Sequence, residues 1–176
     1  MIEREVKIRV TDLAAIRQRL ESLGAHREGV ENEVNRILDS SDGALQRKHQ
    51  VLRVRTAGKS TFTWKGQAED HDPFEHKTRE EIEVQFSTEG TEELLGILAK
   101  LGYVEVIRYV KERETWRWLG AVIAVDKLEF GDFVEIEGEA GAIQDVMHRL
   151  QIESELREQR SYPELQRLAQ QERTHK

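Results

Sequence analysis

The chain has 176 residues, enough for one domain of ordinary size and short of what two independent cores need. Charged residues make up 35% against 38% hydrophobic and 6% aromatic, which excludes disorder throughout. The 27 Lys and Arg against 34 Asp and Glu leave a net charge of −7, which argues against a general duplex-binding surface. With no cysteine, disulfide frameworks, thiol nucleophiles and thiolate zinc sites are excluded. No apolar run approaches the roughly 18 residues of a spanning helix, and the opening Met1-Ile2-Glu3-Arg4-Glu5 lacks the apolar stretch of a signal peptide. A cytoplasmic protein without a membrane partner is the expectation.

Charges fall at period two in segment after segment, the way a strand separates two faces. First in the chain, Glu3, Glu5, Lys7 and Arg9 share one face, opposite Val6, Ile8 and Val10. A helix over residues 11–24 follows, capped by Thr11 or Asp12, with Leu13, Ile16, Leu20 and Leu23 as its apolar stripe. Arg53 and Arg55 oppose Leu52 and Val54, and Thr61, Thr63 and Lys65 oppose Phe62 and Trp64. Residues 67–77, with Glu69-Asp70-His71-Asp72-Pro73, read as a polar loop. Beyond it Arg79, Glu81, Glu83 and Gln85 face away from Ile82, Val84 and Phe86.

A second helix spans about residues 91–102 on Leu94, Leu95, Leu98 and Leu101. Lys111, Arg113 and Thr115 then share a face after Tyr109; Asp126 follows Val122 and Ala124; Glu135 and Glu137 follow Phe133. A third helix covers about 141–151 on Ile143, Val146, Met147 and Leu150, and residues 153–160 read as a solvated connection. The last helix, about 162–172, starts at Tyr162-Pro163 and turns Leu165 and Leu168 inward. Trp64, Trp116 and Trp118 fall on the apolar faces and should pack beneath helices, while the six histidines show no ligand spacing.

One charged face is bland, because an antiparallel sheet can leave a face in water. Six or more, each backed by an apolar face, require an architecture that gathers the charges and covers the rest. The expected fold is α+β: an antiparallel sheet closed into a β-barrel, charged side chains inside and helices outside, over a single domain of residues 1–176. Lys7, Arg9, Arg53, Arg55, Lys65, Lys111 and Arg113 in one lumen would repel each other without an anionic occupant, and a polyphosphate meets that need. Glu3, Glu5, Glu81, Glu83, Asp126, Glu135 and Glu137 would repel the same phosphates unless a hard divalent cation, Mg²⁺ or Mn²⁺, lay between them.

Glu3-Arg4-Glu5-Val6-Lys7, followed in order by Arg53-x-Arg55, Trp64-Lys65-Gly66, Glu81-x-Glu83, Lys111-x-Arg113, Asp126 and Glu135-x-Glu137, resembles the CYTH domain, the triphosphate tunnel metalloenzymes, and this resemblance implies a closed antiparallel eight-stranded β-barrel. Leu101-Gly102-Tyr103, the run from Asp126 to Ile136 and the tail Arg160-Ser161-Tyr162-Pro163-Glu164-Leu165 are most similar to class IV adenylyl cyclases; the paired Arg53 and Arg55 resemble the triphosphatases. The resemblance implies metal binding by Glu3, Glu5, Glu135 and Glu137, with Asp126 and Glu81 or Glu83 in support. It also implies triphosphate binding by Lys7, Arg53, Arg55, Lys65, Lys111 and Arg113. Glu5, Lys7, Lys65, Lys111 and Glu135 are the implied catalytic set. The implied reaction is conversion of ATP to cyclic AMP and pyrophosphate. The rivals are hydrolysis of tripolyphosphate, thiamine triphosphate or a nucleoside triphosphate, and a non-catalytic polyphosphate-binding module. Related barrels are commonly isologous dimers, so a homodimer is a further expectation of the resemblance.

Overall fold

The computed structural model describes residues 2–68, 77–152 and 157–174, with the side chains of residues 2, 3 and 174 outside that description. Eight strands run β1 (Ile2–Val10), β2 (His26–Ser40), β3 (Val51–Thr56), β4 (Ser60–Lys65), β5 (Lys77–Phe86), β6 (Tyr103–Trp118), β7 (Ala121–Leu128) and β8 (Gly131–Glu137). Among the described residues five α-helices join or follow them: α1 (Leu13–Ser22), α2 (Ala44–Arg47), α3 (Thr91–Lys100), α4 (Ala140–Leu150) and α5 (Tyr162–Thr174). The strands close in the order β1-β5-β4-β3-β2-β6-β7-β8, every pair antiparallel, and β8 returns to β1. The expected eight-stranded barrel with external helices is therefore the fold.

Closure sorts side chains by parity, because alternate residues of a barrel strand point in and out. Outside β1, β6, β7 and β8, the buried Val6, Ile8, Trp116, Ile123, Val125, Val134 and Ile136 pack beneath Leu13 and Leu20 of α1 and Ile143, Val146 and Leu150 of α4. Asp12 caps α1 by accepting from the Ala15 amide at 3.0 Å. Glu114, buried on this outer face, accepts from Arg17 of α1 at 2.5 Å and from Arg27 of β2, fixing the helix to the wall. A second cluster, with Leu94, Leu95 and Leu98 of α3, covers Leu38, Leu52 and Val54, and Phe62, Trp64 and Phe86 pack against it. A third fills one end of the barrel: Ile37, Tyr109, Leu128 and Phe133 meet Tyr162 and Leu165 of α5. The lumen is thus a blind cup floored by apolar and aromatic groups.

Three features depart from the sequence expectations. β2 shows no clean apolar alternation, since Asn32 and Arg36 interrupt Val30, Val34 and Leu38 on its outer face, and its pattern does not announce a strand. The outer face of β5 is not helix-covered as its apolar residues suggest: Ile82 and Val84 are 56% and 59% exposed, because α3 turns back over β3 and stops at Phe62, Trp64 and Phe86. Arg157 and Glu158 are not part of a solvated connection, although Gln159 and Arg160 are exposed as expected. Among the described residues β1 and β5 pair between Ile2–Glu5 and Lys77–Glu80. Beyond them Arg157 bridges to Ile8, the Glu158 amide donates to the Lys7 carbonyl at 2.7 Å, and the Lys77 ammonium donates to the Gln159 carbonyl at 3.4 Å. This strap closes the seam and delivers Tyr162 to the floor. Residues 69–76 and 153–156, which include the rest of the expected polar loop with His71 and His76, lie outside the described residues.

Ile143 is fully buried where α4 meets the barrel. Ile143→Ala should lower unfolding stability by about 2–5 kcal/mol in urea titration, through lost burial plus the cavity left behind. A loss below about 1 kcal/mol would contradict this packing.

Candidate functional site

Register decides which charges meet inside the barrel. Across adjacent strands Lys7 lies opposite Glu135, Lys65 opposite Glu81, Lys111 opposite Glu33, and Arg113 opposite Asp126. Opposite charges in such positions attract at Cβ separations of about 5 Å. Lys111 accordingly sits 3.1 Å from Asp126 and 3.5 Å from Glu33, and Lys65 sits 2.9 Å from Glu81. Arg113 forks onto Asp126, with its Nε donating at 2.8 Å, and also donates to Glu135. Arg79 reaches Glu5 at 3.4 Å.

The two β3 arginines differ. Arg53 lies opposite Ile37 and Thr63, and Arg55 opposite Asn35 and Thr61, so neither has a carboxylate directly across from it. Arg55 reaches sideways to Glu33 at 3.4 Å and Glu83 at 3.9 Å, and Arg53 to Glu83 at 4.0 Å. The expectation that these cations require an anionic occupant is corrected here, because carboxylates of neighbouring strands already neutralise them.

A cavity of about 570 Å³ opens inside this lattice. Of the residues singled out from sequence, Glu5, Lys7, Arg53, Arg55, Lys65, Glu81, Glu83, Lys111, Arg113, Glu135 and Glu137 line it, and Arg79 and Lys77 join them. Asp126 does not. It is fully buried beneath the lining, where its oxygens accept from Arg113, Lys111 and the Tyr162 hydroxyl, the last at 2.8 Å. Glu3 is in register opposite Arg79 on the backbone, with its side chain outside the description. At the floor the Lys7 ammonium stands 4.5 Å above the Tyr162 ring and the Lys111 ammonium 5.0 Å from it, a cation–π contact that holds both without adding charge.

Arg9 and Arg160 belong to the frame. Arg9 stacks 4.7 Å over Phe133, donates to the Phe130 carbonyl at 3.3 Å and lies 3.8 Å from Glu158, while Arg160 pairs with Glu158 at 2.6 Å. Sequence reasoning passed over Glu33, Lys77, Tyr109 and Tyr162 as site residues. The alternation of Glu31, Glu33 and Asn35 is the signal that could have exposed Glu33, and the parity of Tyr109 with Lys111 and Arg113 the one for Tyr109; Tyr162 carries no signal short of the fold, since it reaches the lumen from α5.

Burial and neighbours set the protonation states. Burial alone would raise the Glu33 carboxyl, but Lys111, Arg113, Arg55 and Arg53 outweigh it and bring the pKa down to about 2. Burial likewise opposes ionisation of Glu135, and Arg113, Lys111 and Lys7 hold its pKa well below the carboxylate range. Lys111 is pushed down by burial and by Arg113, against the opposing pull of Asp126, Glu135 and Glu33. Burial, with Glu135 and Asp126 nearby, pushes the Tyr162 phenol up, so it stays a neutral donor.

Divalent-metal donors are of the right kind. Glu5 and Glu137 lie directly opposite across β1 and β8, a like-charge juxtaposition that a hard cation between them would relieve, and Glu135 is the next inward residue on β8. Among the described residues no three acidic or histidine side chains converge on one point. Arg79 and Arg113 engage Glu5 and Glu135. These oxygen ligands fit Mg²⁺ or Mn²⁺ in chemistry.

A depressed carboxyl pKa contributes stability that is complete above the unfolded-state pKa and lost as pH falls through the folded one. The Glu33 contribution should therefore be present at pH 7 and disappear between pH 4.5 and about 2. In thermal unfolding across that range, wild type should lose stability more steeply than Glu33→Gln, and the gap between them should close toward the acid end. Parallel profiles would contradict the assignment of Glu33 to the lattice.

The CYTH domain profile matches residues 1–165. A protein of Methanocaldococcus jannaschii named as a putative adenylate cyclase is 31% identical over 139 residues, 78% of this chain and 77% of that one. A solved protein of Pyrococcus horikoshii OT3 is 28% identical with a TM-score of 0.74, covering 93% of this chain and 98% of that chain. A Hippeastrum protein, named as a putative adenylyl cyclase with a dominant triphosphatase activity, shares the fold at 19% identity and a TM-score of 0.75, with 95% and 96% covered. With the profile spanning nearly the whole sequence and the lumenal charges in the order that the strands require, the chain belongs to the CYTH domain family.

Proposed function

We propose that this protein is a metal-dependent adenylyl cyclase that converts ATP to 3′,5′-cyclic AMP and pyrophosphate. The carrying observation is the cup itself: Arg53, Arg55, Lys65, Lys111 and Arg113 surround a cavity of about 570 Å³ whose other wall presents Glu5, Glu135 and Glu137. Its relative from Methanocaldococcus jannaschii, named as a cyclase, supports this choice of reaction.

The cations bind and orient the triphosphate. Arginine forks match phosphate oxygens, and Arg53 and Arg55, which face no carboxylate in register, are the freest to turn toward them. Lys111 and Arg113 are fixed by Asp126, so they meet the phosphates without reorganising. The closed floor of Tyr109 and Tyr162 keeps water from entering behind the phosphate chain. It also makes the open end the place for the nucleoside, with Val122 and Ala124 among the uncharged residues of the lining. Glu3, Glu5, Glu135 and Glu137 are the residues that would hold Mg²⁺ or Mn²⁺, with Glu81 or Glu83 beside them. When bound, the metal supplies Lewis-acid neutralisation of the phosphate charge. Asp126 supports this set through Lys111 and Arg113, since its own oxygens are occupied by donors. In the reaction the ribose 3′-oxygen gives its proton to solvent and bonds to the α-phosphorus, the bond from that phosphorus to the α,β-bridging oxygen breaks, and pyrophosphate leaves with that electron pair.

Hydrolysis of the terminal phosphate is the second reading, favoured by the Hippeastrum fold neighbour's reported triphosphatase activity. The two separate by product. Purified protein incubated with ATP, inorganic tripolyphosphate or thiamine triphosphate and Mg²⁺ or Mn²⁺ should form cyclic AMP and pyrophosphate from ATP. Glu135→Gln should lower that turnover at least a hundredfold while keeping a wild-type circular dichroism spectrum. Orthophosphate without cyclic AMP would overturn the cyclase reading in favour of hydrolysis.

A further inference from the structure

Glu33, like Asp126, stands apart from the acids that line the cavity. It is 1% exposed and does not line the cavity. Its Oε1 accepts from Arg55 at 3.4 Å, while its Oε2 lies 3.5 Å from the Lys111 ammonium and 3.5 Å from the Asn35 amide nitrogen. It therefore sits behind the very cations whose other side faces the substrate space. Asn35, fully buried beside it and opposite Arg55 in register, has an amide oxygen with no hydrogen-bond partner. Two isosteric positions thus exist where one unit of charge can be removed or added without reshaping the lumen.

A carboxylate in this place has a consequence beyond holding side chains still. Phosphate oxygens on Arg55 and Lys111 share those cations with Glu33, so each unit of charge at Glu33 weakens the hold on the phosphate chain. We propose that Glu33 is a built-in counter-ion of the triphosphate seat, one that limits affinity for the phosphate chain and so lets the polyphosphate product depart. The proposal rests on the triphosphate reading above and adds to it a residue that sets binding strength from outside the contact surface. A purely structural role makes the opposite forecast, because loosening Arg55 and Lys111 would weaken binding.

Calorimetric titration with inorganic tripolyphosphate, in EDTA so that only the protein's own charges act, tests the sign. Glu33→Gln should bind about tenfold tighter than wild type, and Asn35→Asp about tenfold weaker. In steady-state turnover of ATP with Mg²⁺, Glu33→Gln should lower KM and kcat together, as retained product requires. Equal or weaker binding by Glu33→Gln would overturn the proposal. If that variant fails to fold, Asn35→Asp decides: unchanged or tighter binding would overturn it. Absence of tripolyphosphate binding by wild type both in EDTA and with Mg²⁺ would instead overturn the triphosphate reading on which the proposal stands.

Discussion

Charge enclosed in a protein interior must be neutralised at close range, and in this barrel the register of neighbouring strands performs that task. Removing either member of a buried ion pair leaves an uncompensated charge costing several kcal/mol, so the lattice is collectively stabilised and individually vulnerable. Lys111 between Glu33 and Asp126, and Arg113 between Asp126 and Glu135, are its densest part. The outer layers follow from it. Outside β5 and the exposed stretches of β2 and β6 the opposite faces find cover beneath α1, α3 and α4, and α5 completes the floor by bringing Tyr162 to Asp126.

This arrangement suits phosphoryl chemistry. A site made of flexible cations in water would have to be organised anew for each substrate, whereas cations already held by buried acids present a fixed positive field. Two tiers of acid result. Asp126 and Glu33 lie under the lining and hold cations in place; Glu5, Glu135 and Glu137 lie on the lining, where they can meet a divalent ion. The strap at residues 157–160 links this interior to the C-terminal helix, so the seam between β1 and β5, the floor and the lattice depend on one another.

Much of this was legible in the sequence because period-two alternation reports the face of each residue. Arg53 and Arg55, Lys111 and Arg113, and Glu135 and Glu137 all turn inward as their spacing requires. Parity cannot report which neighbour a residue meets, and that is where sequence reasoning stopped. Asp126 counted with the metal donors until the register placed it opposite Arg113, and the cations counted as an unmet charge until their partners across the strands were known. β2 escaped because Asn32 and Arg36 on its outer face break the apolar alternation, and Glu33 escaped with it. The strap is invisible for another reason: a run of charges reads as solvated unless one knows that Lys7 and Ile8 of β1 take backbone partners from it.

The central claim is that the inward-facing lattice seats a triphosphate with its metal on the β1–β8 side. Crystals soaked with a non-hydrolysable ATP analogue and Mn²⁺, and measured at the manganese absorption edge, test it most directly. The account predicts an anomalous peak beside Glu5, Glu135 and Glu137, with phosphate density over Arg53, Arg55, Lys65 and Arg113. Manganese and phosphate bound outside the barrel, with the lumenal ion pairs unchanged, would contradict it.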